Sequence, residues 1–312
     1  LNQMAQNIIF MGTPEFSVPI LKSLNESKHN ILEVYTQPPK KKNRGQVINL
    51  TPVHEFSNEN NLKVRCPEEL NTQDEFDYLK QKKPDVIVVV AYGKILPSQL
   101  LSIEKTKFIN IHASLLPKWR GAAPIQRSIM NLDKETGISI MKIVPKLDAG
   151  PVMMRSKVKI TPSTNFKSLS QKLSLLGAKM ILESLDLIES DEANYIDQDE
   201  NEATYAKKIK KIESKVEWNT HAKKIIAKIN ALYPNPGTWF EYRGARLKIN
   251  KAVEVQAKGK PGEILNEKFT IACLENAIQI LELQKEGKKS MDISEYLKGN
   301  SLEIGLNVGK KS

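Results

Sequence analysis

The stretch Asp85–Ala91, with the sequence DVIVVVA, constrains the fold more than any other feature of the chain. It contains a continuous run of Val and Ile without polar alternation, so both faces of the strand need apolar cover. Strands of this kind lie at the centre of parallel sheets that helices cover on both sides. The run therefore predicts an α/β protein in which Asp85–Ala91 forms a central strand.

The segments around this run alternate between strand and helix patterns. Asn7–Met11 is a short apolar run, Phe16–Leu24 has apolar residues at helical spacing, and Ile31–Thr36 reads as a further strand. This alternation predicts a doubly wound, Rossmann-like and mostly parallel sheet. The turn Gly12–Glu15 lacks both the further glycines of a dinucleotide fingerprint and the lysine of a phosphate loop, which excludes both nucleotide sites.

The last third of the chain has a different pattern. A long amphipathic helix over Asn165–Ile188 closes the first domain, and the residues after Ser190 are acidic and polar. Short alternating segments with Gly, Pro and Lys turns then predict a small antiparallel β-barrel resembling an OB fold. We therefore expect a catalytic domain over residues 4–190, a linker over 191–206 and a smaller barrel domain over 207–312.

Most of the net charge of +11 lies in this last third. Residues 205–312 carry 21 Lys and Arg against 12 Asp and Glu, whereas the first 204 residues carry 26 against 24. A basic domain beside a nearly neutral one favours a polyanionic partner, most plausibly nucleic acid. A solvated, lysine-rich surface without a partner is the alternative that charge alone leaves open.

Membrane and metal-dependent classes have little support in the sequence. No apolar run reaches the roughly 20 residues that span a bilayer, and the N-terminus does not resemble a signal peptide. Cys66 and Cys273 are too few and too distant in sequence for a disulfide framework or a metal cluster. We therefore expect a cytoplasmic protein with no membrane partner, no metal and two reduced cysteines.

A candidate site lies in the stretch Phe108–Gln126, FINIHASLLPKWRGAAPIQ. Asn110 and His112 are two residues apart on a strand, so they share one face at its carboxyl end, where open α/β sheets build their sites. Asp148 follows the next predicted strand, and in a parallel sheet the ends of these strands converge on one crevice.

An amide, an imidazole and a carboxylate can together perform acid/base catalysis and stabilise an oxyanion. The sequence shows no recognisable nucleophile elbow, so the set fits direct transfer to an incoming nucleophile. Structural roles stay open, since a histidine on an apolar strand can belong to the core and Asp148 can be a turn residue.

The segment from Gln37 to Gly45 has four basic residues, no acidic residue and no apolar periodicity. It predicts a flexible basic loop. The loop is either a solvated surface excursion or an arm that contacts phosphates and becomes ordered on binding.

Four motifs, FMGTPEF, VVVAYGKILP, NIHASLLPKWRGAAPIQ and LDAGPVM, resemble the methionyl-tRNA formyltransferase family and occur in that family's order. The resemblance implies 10-formyltetrahydrofolate as the formyl donor and initiator methionyl-tRNA as the acceptor, in a bacterial-type cytoplasm. We also expect a monomer. Formylation of a small amine, such as a sugar nucleotide or glycinamide ribonucleotide, stays open because related enzymes share the Asn-x-His…Asp pattern. A noncatalytic RNA-binding protein is a third alternative.

The resemblance also implies roles for single residues. Asn110 and His112 would donate hydrogen bonds to the developing oxyanion, and Asp148 would orient or charge His112. Arg44 falls where the family carries an arginine in a mobile loop that enters the acceptor end of the tRNA. The folate would lie along two short segments: Val90, Ala91 and Tyr92, and Ser114, Leu115, Leu116 and Pro117. Charge alone, rather than the resemblance, predicts that seven lysines attract phosphate groups: Lys40, Lys41, Lys42, Lys207, Lys208, Lys210 and Lys211.

Overall fold

The computed structural model describes residues 4–42 and 47–309. The strands, in chain order, are β1 (Asn7–Gly12), β2 (Asn30–Tyr35), β3 (Lys40–Lys42), β4 (Val47–Asn49), β5 (Val64–Arg65), β6 (Val86–Val90), β7 (Lys107–His112), β8 (Arg120–Gly121), β9 (Glu135–Lys142), β10 (Val152–Lys159), β11 (Tyr205–Ala206), β12 (Thr238–Tyr242), β13 (Ala245–Val255), β14 (Ile264–Asn266), β15 (Thr270–Ala272), β16 (Ala277–Lys285) and β17 (Ser290–Asp292). The α-helices are α1 (Val18–Asn25), α2 (Pro52–Glu59), α3 (Gln73–Lys82), α4 (Ser98–Leu101), α5 (Pro124–Met130), α6 (Phe166–Glu189), α7 (Ala222–Leu232) and α8 (Ile293–Lys298). Short 3-10 helices cover Glu15–Ser17, Glu200–Glu202 and Lys211–Ser214.

The chain divides into two compact units, and neither is contiguous in sequence. The first unit contains Leu1–Gly121, Thr136–Val158 and Ser170–Tyr205, and the second contains Ala122–Glu135, Lys159–Leu169 and Ala206–Ser312. The change after Tyr205 coincides with the end of the predicted linker. Two segments that precede Tyr205 nevertheless belong to the second unit, which patterns of charge and composition along the chain do not reveal. The functional division into domains therefore stays a prediction.

The first unit contains a seven-stranded sheet with the strand order β10-β9-β7-β6-β1-β2-β5. The neighbouring pairs from β7 to β5 are all parallel. All five residues of β6 are buried, as the continuous apolar run requires of a strand covered on both faces. The mostly parallel sheet and the central position of the Asp85–Ala91 run are both confirmed.

β9 corrects one step of the sequence interpretation. It runs antiparallel to β7, with Ile109 opposite Lys142 and His112 opposite Ser139. The expectation that the carboxyl ends of these two strands meet at one edge was therefore wrong. The connection after β7 returns near His112, so β9 enters the sheet beside the end of β7 and runs back along it.

The longest helix of the described chain, α6, packs directly behind the candidate site. A Cβ atom on Gly177 would lie 3.4 Å from Cγ2 of Ile111 and 3.1 Å from Cδ1 of Ile20, so glycine lets the helix approach closely. Ile111 lies between Asn110 and His112 in sequence and points to the opposite face of β7. The helix thus supports the strand from behind and leaves the other face for polar residues.

The second unit contains an antiparallel sheet with the strand order β12-β13-β16-β15-β14, with β17 beside β16. Its core includes edge-on aromatic contacts of Phe240 with Trp218 at 5.5 Å and with Phe269 at 5.9 Å between ring centroids. The antiparallel domain is confirmed. Within the described residues no pairing joins β12 to β14, so closure of the sheet into a barrel stays a prediction.

None of the helices in the described parts of the chain is long and apolar enough to cross a membrane.

Candidate active site

Asn110 and His112 lie on one face of β7, as the spacing predicts. Asn110 is half-buried, and its side-chain amide has no hydrogen-bond partner among the residues that the structure describes. A buried or half-buried amide is normally hydrogen-bonded, so an amide without a protein partner is available to a ligand. Asn110 therefore presents a donor at the end of the strand.

The side chain of His112 is held in one orientation and is only 7% exposed. Its Nε2 lies 2.8 Å from the main-chain carbonyl oxygen of Trp119, and a carbonyl can only accept, so Nε2 carries the hydrogen. In the neutral ring the lone pair is then on Nδ1. Nδ1 lies 3.7 Å from Oδ2 of Asp148, which makes it the nitrogen that can gain or release a proton beside a carboxylate.

Asp148 reaches His112 through the loop 143–151 rather than through a parallel strand end. Its Oδ2 accepts a hydrogen bond of 2.7 Å from the main-chain N–H of Gly121, and its φ of +47° is in the left-handed region. A Cβ on Gly150 would lie 1.8 Å from the carbonyl oxygen of Lys142, so only glycine fits this bend. The loop therefore has a tightly determined course beside the imidazole.

Arg120, which had no assigned role, is a fully buried cation beside this loop. Its guanidinium forms two hydrogen bonds to the Glu200 carboxylate, at 2.9 and 3.1 Å, and two to the side-chain oxygen of Gln198. Glu200 also pairs with Lys146 at 2.7 Å. The Arg120 contact, and then the Lys146 contact, lower the pKa of Glu200 to about 2.

These contacts change the interpretation of the segment 191–206, which was predicted to be a linker. Gln198 and Glu200 supply the partners that the buried guanidinium requires, and Thr204 accepts from the main-chain N–H of Arg120 at 2.9 Å. The polar composition of this segment therefore reflects, in part, its binding to Arg120. Sequence reasoning missed Gln198, because a single glutamine in a polar segment carries no signal.

Replacing Glu200 with Gln should remove a pH-dependent part of the stability. Because the folded protein holds the pKa of Glu200 below its usual 4.5, the stabilisation is fully present above about pH 4.5 and is lost as the pH falls towards 2. We expect the stability difference between the wild type and Glu200→Gln, measured by urea unfolding, to shrink across this window. Glu202→Gln, at an exposed position in the same turn, is the control. A difference that does not depend on pH would contradict the assignment.

The residues predicted to contact folate divide into two groups. Ser114 is fully buried, and its hydroxyl donates to the carbonyl oxygen of Lys118 at 2.6 Å, so it holds the turn together. Leu116 packs with Met141 and Val152 in a small core cluster. Val90 and Tyr92 are likewise buried. The second group consists of the predicted folate-contacting residues that remain accessible to solvent, Ala91, Leu115 and Pro117.

The predicted tRNA-contacting lysines of the second unit are exposed and have no ion-pair partner among the described residues. Their segment is fixed through its main chain, because Arg127 donates to the carbonyl oxygens of Lys207 and Lys208 and pairs with Glu213 at 2.6 Å. Lys210 and Lys211 belong to the same exposed set.

Lys40, Lys41 and Lys42 form β3, which pairs with β4, and Lys40 is exposed. Arg44 lies outside the described residues. In residues 4–42 and 47–309, no group of three or more His, Cys, Asp or Glu side chains could hold a metal ion.

Comparison with known proteins finds matches along nearly the whole chain. Residues 6–185 match the formyl transferase family and residues 208–301 match the formyl transferase C-terminal domain. The chain is 49% identical to methionyl-tRNA formyltransferase of Pelagibacter ubique, over 98% of this chain and 99% of that protein. It is 42% identical to the methionyl-tRNA formyltransferase of Paramagnetospirillum magneticum, over 97% and 99% of the two chains.

A solved structure supports the fold at much lower identity. An N-formyltransferase from Helicobacter canadensis, in complex with folinic acid and dTDP-3-aminofucose, superimposes with a TM-score of 0.68. The match is 18% identical and covers 90% of this chain and 100% of that one. At this identity the likeness concerns the fold alone.

Proposed function

The chain belongs to the formyl transferase family, and we propose that it transfers the formyl group of 10-formyltetrahydrofolate to the free amine of initiator methionyl-tRNA. The product is N-formylmethionyl-tRNA, which is used in translation initiation. The observation that carries the proposal is the placement of Nδ1 of His112 beside Asp148, on the strand face that also presents the unpartnered amide of Asn110. We further propose that the protein acts as a monomer in the cytoplasm, where initiator tRNA is used.

Asn110 stabilises the charge that develops during the transfer. Attack of the methionyl amine on the formyl carbon gives a tetrahedral intermediate with negative charge on the former carbonyl oxygen. An amide that already lacks a protein partner can donate to this oxygen without breaking an existing hydrogen bond. One donor of this kind typically contributes about 3 kcal/mol to lowering the barrier.

His112 moves the proton. Because Nε2 donates to Trp119, Nδ1 of the neutral ring is the base that takes a proton from the attacking amine. The imidazolium that results is stabilised by Asp148 and can donate to the oxyanion. The same proton then passes to the leaving nitrogen of the folate, so that the ring returns to its neutral form.

The formyl donor is expected to lie against the accessible members of the predicted folate set. Ala91 follows the end of β6, and Leu115 and Pro117 follow β7, so all three come directly after neighbouring strands of the sheet. Their small or apolar side chains suit a flat heterocycle, with main-chain groups as polar partners. The match of residues 6–185 to the formyl transferase family supports a formyl donor here. The Helicobacter canadensis enzyme, which has the same fold, is in complex with folinic acid.

Phosphate contacts to the tRNA are proposed for the exposed lysines Lys207, Lys208, Lys210 and Lys211, together with Arg44 and Lys40, Lys41 and Lys42. Side chains cannot easily read the narrow major groove of A-form RNA, so such contacts act through backbone charge and shape.

The KM for tRNA should therefore rise steeply with ionic strength, whereas the KM for a small amine substrate would change little.

Arg44→Ala should raise the KM for methionyl-tRNA by about tenfold, because one phosphate or acceptor-end contact is lost. The KM for 10-formyltetrahydrofolate should stay unchanged. Steady-state kinetics with each substrate varied in turn measures both values. Equal losses with both substrates would point to a folding defect instead.

The direct test of the function mixes the purified protein with methionyl initiator tRNA and 10-formyltetrahydrofolate and follows formyl-methionine. We expect product with the tRNA and none with an amino sugar nucleotide. Absence of formyl-methionine from protein with a cooperative thermal unfolding transition would reject the proposal.

A further inference from the structure

The hydrogen bonds of Arg120 determine which way the Gln198 amide faces. Nε and Nη2 of Arg120 lie 3.1 and 3.0 Å from one side-chain atom of Gln198. A guanidinium can only donate, so that atom must be the oxygen, Oε1. The amide nitrogen, Nε2, is therefore turned away from Arg120, and the orientation follows from the partner's chemistry.

The Nε2 group of Gln198 holds the loop that carries Asp148. It donates to the main-chain carbonyl oxygens of Asp148 and Gly150, at 2.8 and 2.7 Å. An amide nitrogen has two hydrogens, so both are used and both carbonyl groups are satisfied. Lys146, in the same loop, is bound by Glu200 at 2.7 Å. Arg120 and its two partners thus fix the loop at three points.

The main chain around Arg120 fixes the catalytic pair from the other side. The carbonyl of Trp119 accepts from Nε2 of His112, and the N–H of Gly121 donates to Oδ2 of Asp148. The same segment is held by Thr204, which accepts from the N–H of Trp119 through its hydroxyl and from that of Arg120 through its carbonyl. The buried Arg120 therefore connects the hydrogen bonds that hold His112 with those that hold Asp148.

We propose that Gln198 is a positioning residue: held by the buried Arg120, it sets the position of Asp148 relative to Nδ1 of His112. The inference rests on the proposed function, because it concerns the same acid/base pair. Gln198 does not itself touch the reacting atoms. Its loss should therefore lower kcat and leave the binding of both substrates nearly unchanged, since small displacements of a catalytic group can cost up to a hundredfold in rate.

Gln198→Met tests this, because methionine has a similar length but neither donates to the loop nor accepts from Arg120. We expect kcat to fall by about tenfold or more, with both KM values within about twofold of the wild type. Gln171→Met, the same change at an exposed position of α6, is the matched control and should have wild-type rates. In an Asp148→Asn background the same Gln198→Met change should lower kcat by less than about twofold, because the carboxylate that Gln198 positions is already lost.

Two outcomes would overturn the inference. One is that Gln198→Met lowers kcat by less than about threefold in the wild-type background. The other is that it lowers kcat by the same factor in the Asp148→Asn background as in the wild type. If Gln198→Met does not fold, Gln198→Glu replaces it in the same measurements. It keeps an oxygen for Arg120 but removes the donor to the loop.

A second readout does not depend on activity. The ring resonances of His112, followed by NMR at one fixed pH, should move in Gln198→Met, because Asp148 is displaced from its position 3.7 Å from Nδ1. Gln171→Met should leave these resonances unchanged. If the wild type forms no formyl-methionine, the proposed function fails, and the His112 resonances alone decide whether Gln198 positions Asp148. Unchanged His112 resonances in folded Gln198→Met would reject the positioning role.

Discussion

His112→Ala is expected to lower the rate of formyl transfer by at least about a hundredfold. The change removes Nδ1, which lies 3.7 Å from Oδ2 of Asp148 and which we propose takes the proton from the attacking amine. The measurement is a single-turnover reaction with saturating methionyl-tRNA and folate, so that binding does not enter the rate.

His221→Ala is the matched control for this variant, because His221 is exposed and pairs with Glu275 in the second unit. It should have the wild-type single-turnover rate. His112 is itself nearly buried, so thermal unfolding of His112→Ala must show a cooperative transition before the rate is interpreted. A turnover within about threefold of the wild type would remove His112 from the mechanism.

Asp148→Asn should also lower the rate of formyl transfer by at least about a hundredfold. Asparagine has nearly the same shape, and its oxygen can still accept from the N–H of Gly121. The negative charge that we propose stabilises the imidazolium is lost, so the effect isolates electrostatics from packing. Single-turnover rates of Asp148→Asn and of the wild type, with both substrates saturating, measure this.

Asp197→Asn is the control for Asp148→Asn. Asp197 is exposed and lies beside Gln198 in sequence, but it makes no side-chain hydrogen bond among the described residues. It should have the wild-type single-turnover rate. If Asp148→Asn lowers the rate by less than about threefold, Asp148 is a turn residue without a catalytic role, as Asp residues in loops often are.

The central strand and the shared face of Asn110 and His112 were predictable because both depend on local periodicity. A run of β-branched residues dictates a strand buried on both faces, and residues two apart share one face wherever the strand lies. The proximity of Asp148 to His112 was expected for the wrong reason. Local pattern does not encode the direction of β9, and the loop 143–151 brings Asp148 to the imidazole instead.

The hydrogen-bond network around Arg120 could not be predicted from the sequence. A buried arginine and an exposed one look the same in sequence, and the partners Gln198 and Glu200 lie about 80 positions further along the chain. A polar segment normally indicates solvation, which is why 191–206 was predicted to be a linker. Similarly, nothing in the composition of 122–135 or 159–169 indicates that these segments pack with the second unit.

The most direct test of the acid/base pair combines both substitutions. Single-turnover rates of His112→Ala, Asp148→Asn and the double variant form a double-mutant cycle. If Asp148 acts only through Nδ1 of His112, the double variant loses about as much rate as His112→Ala alone. A loss equal to the product of the two single losses would mean that the residues act independently, which would contradict the mechanism.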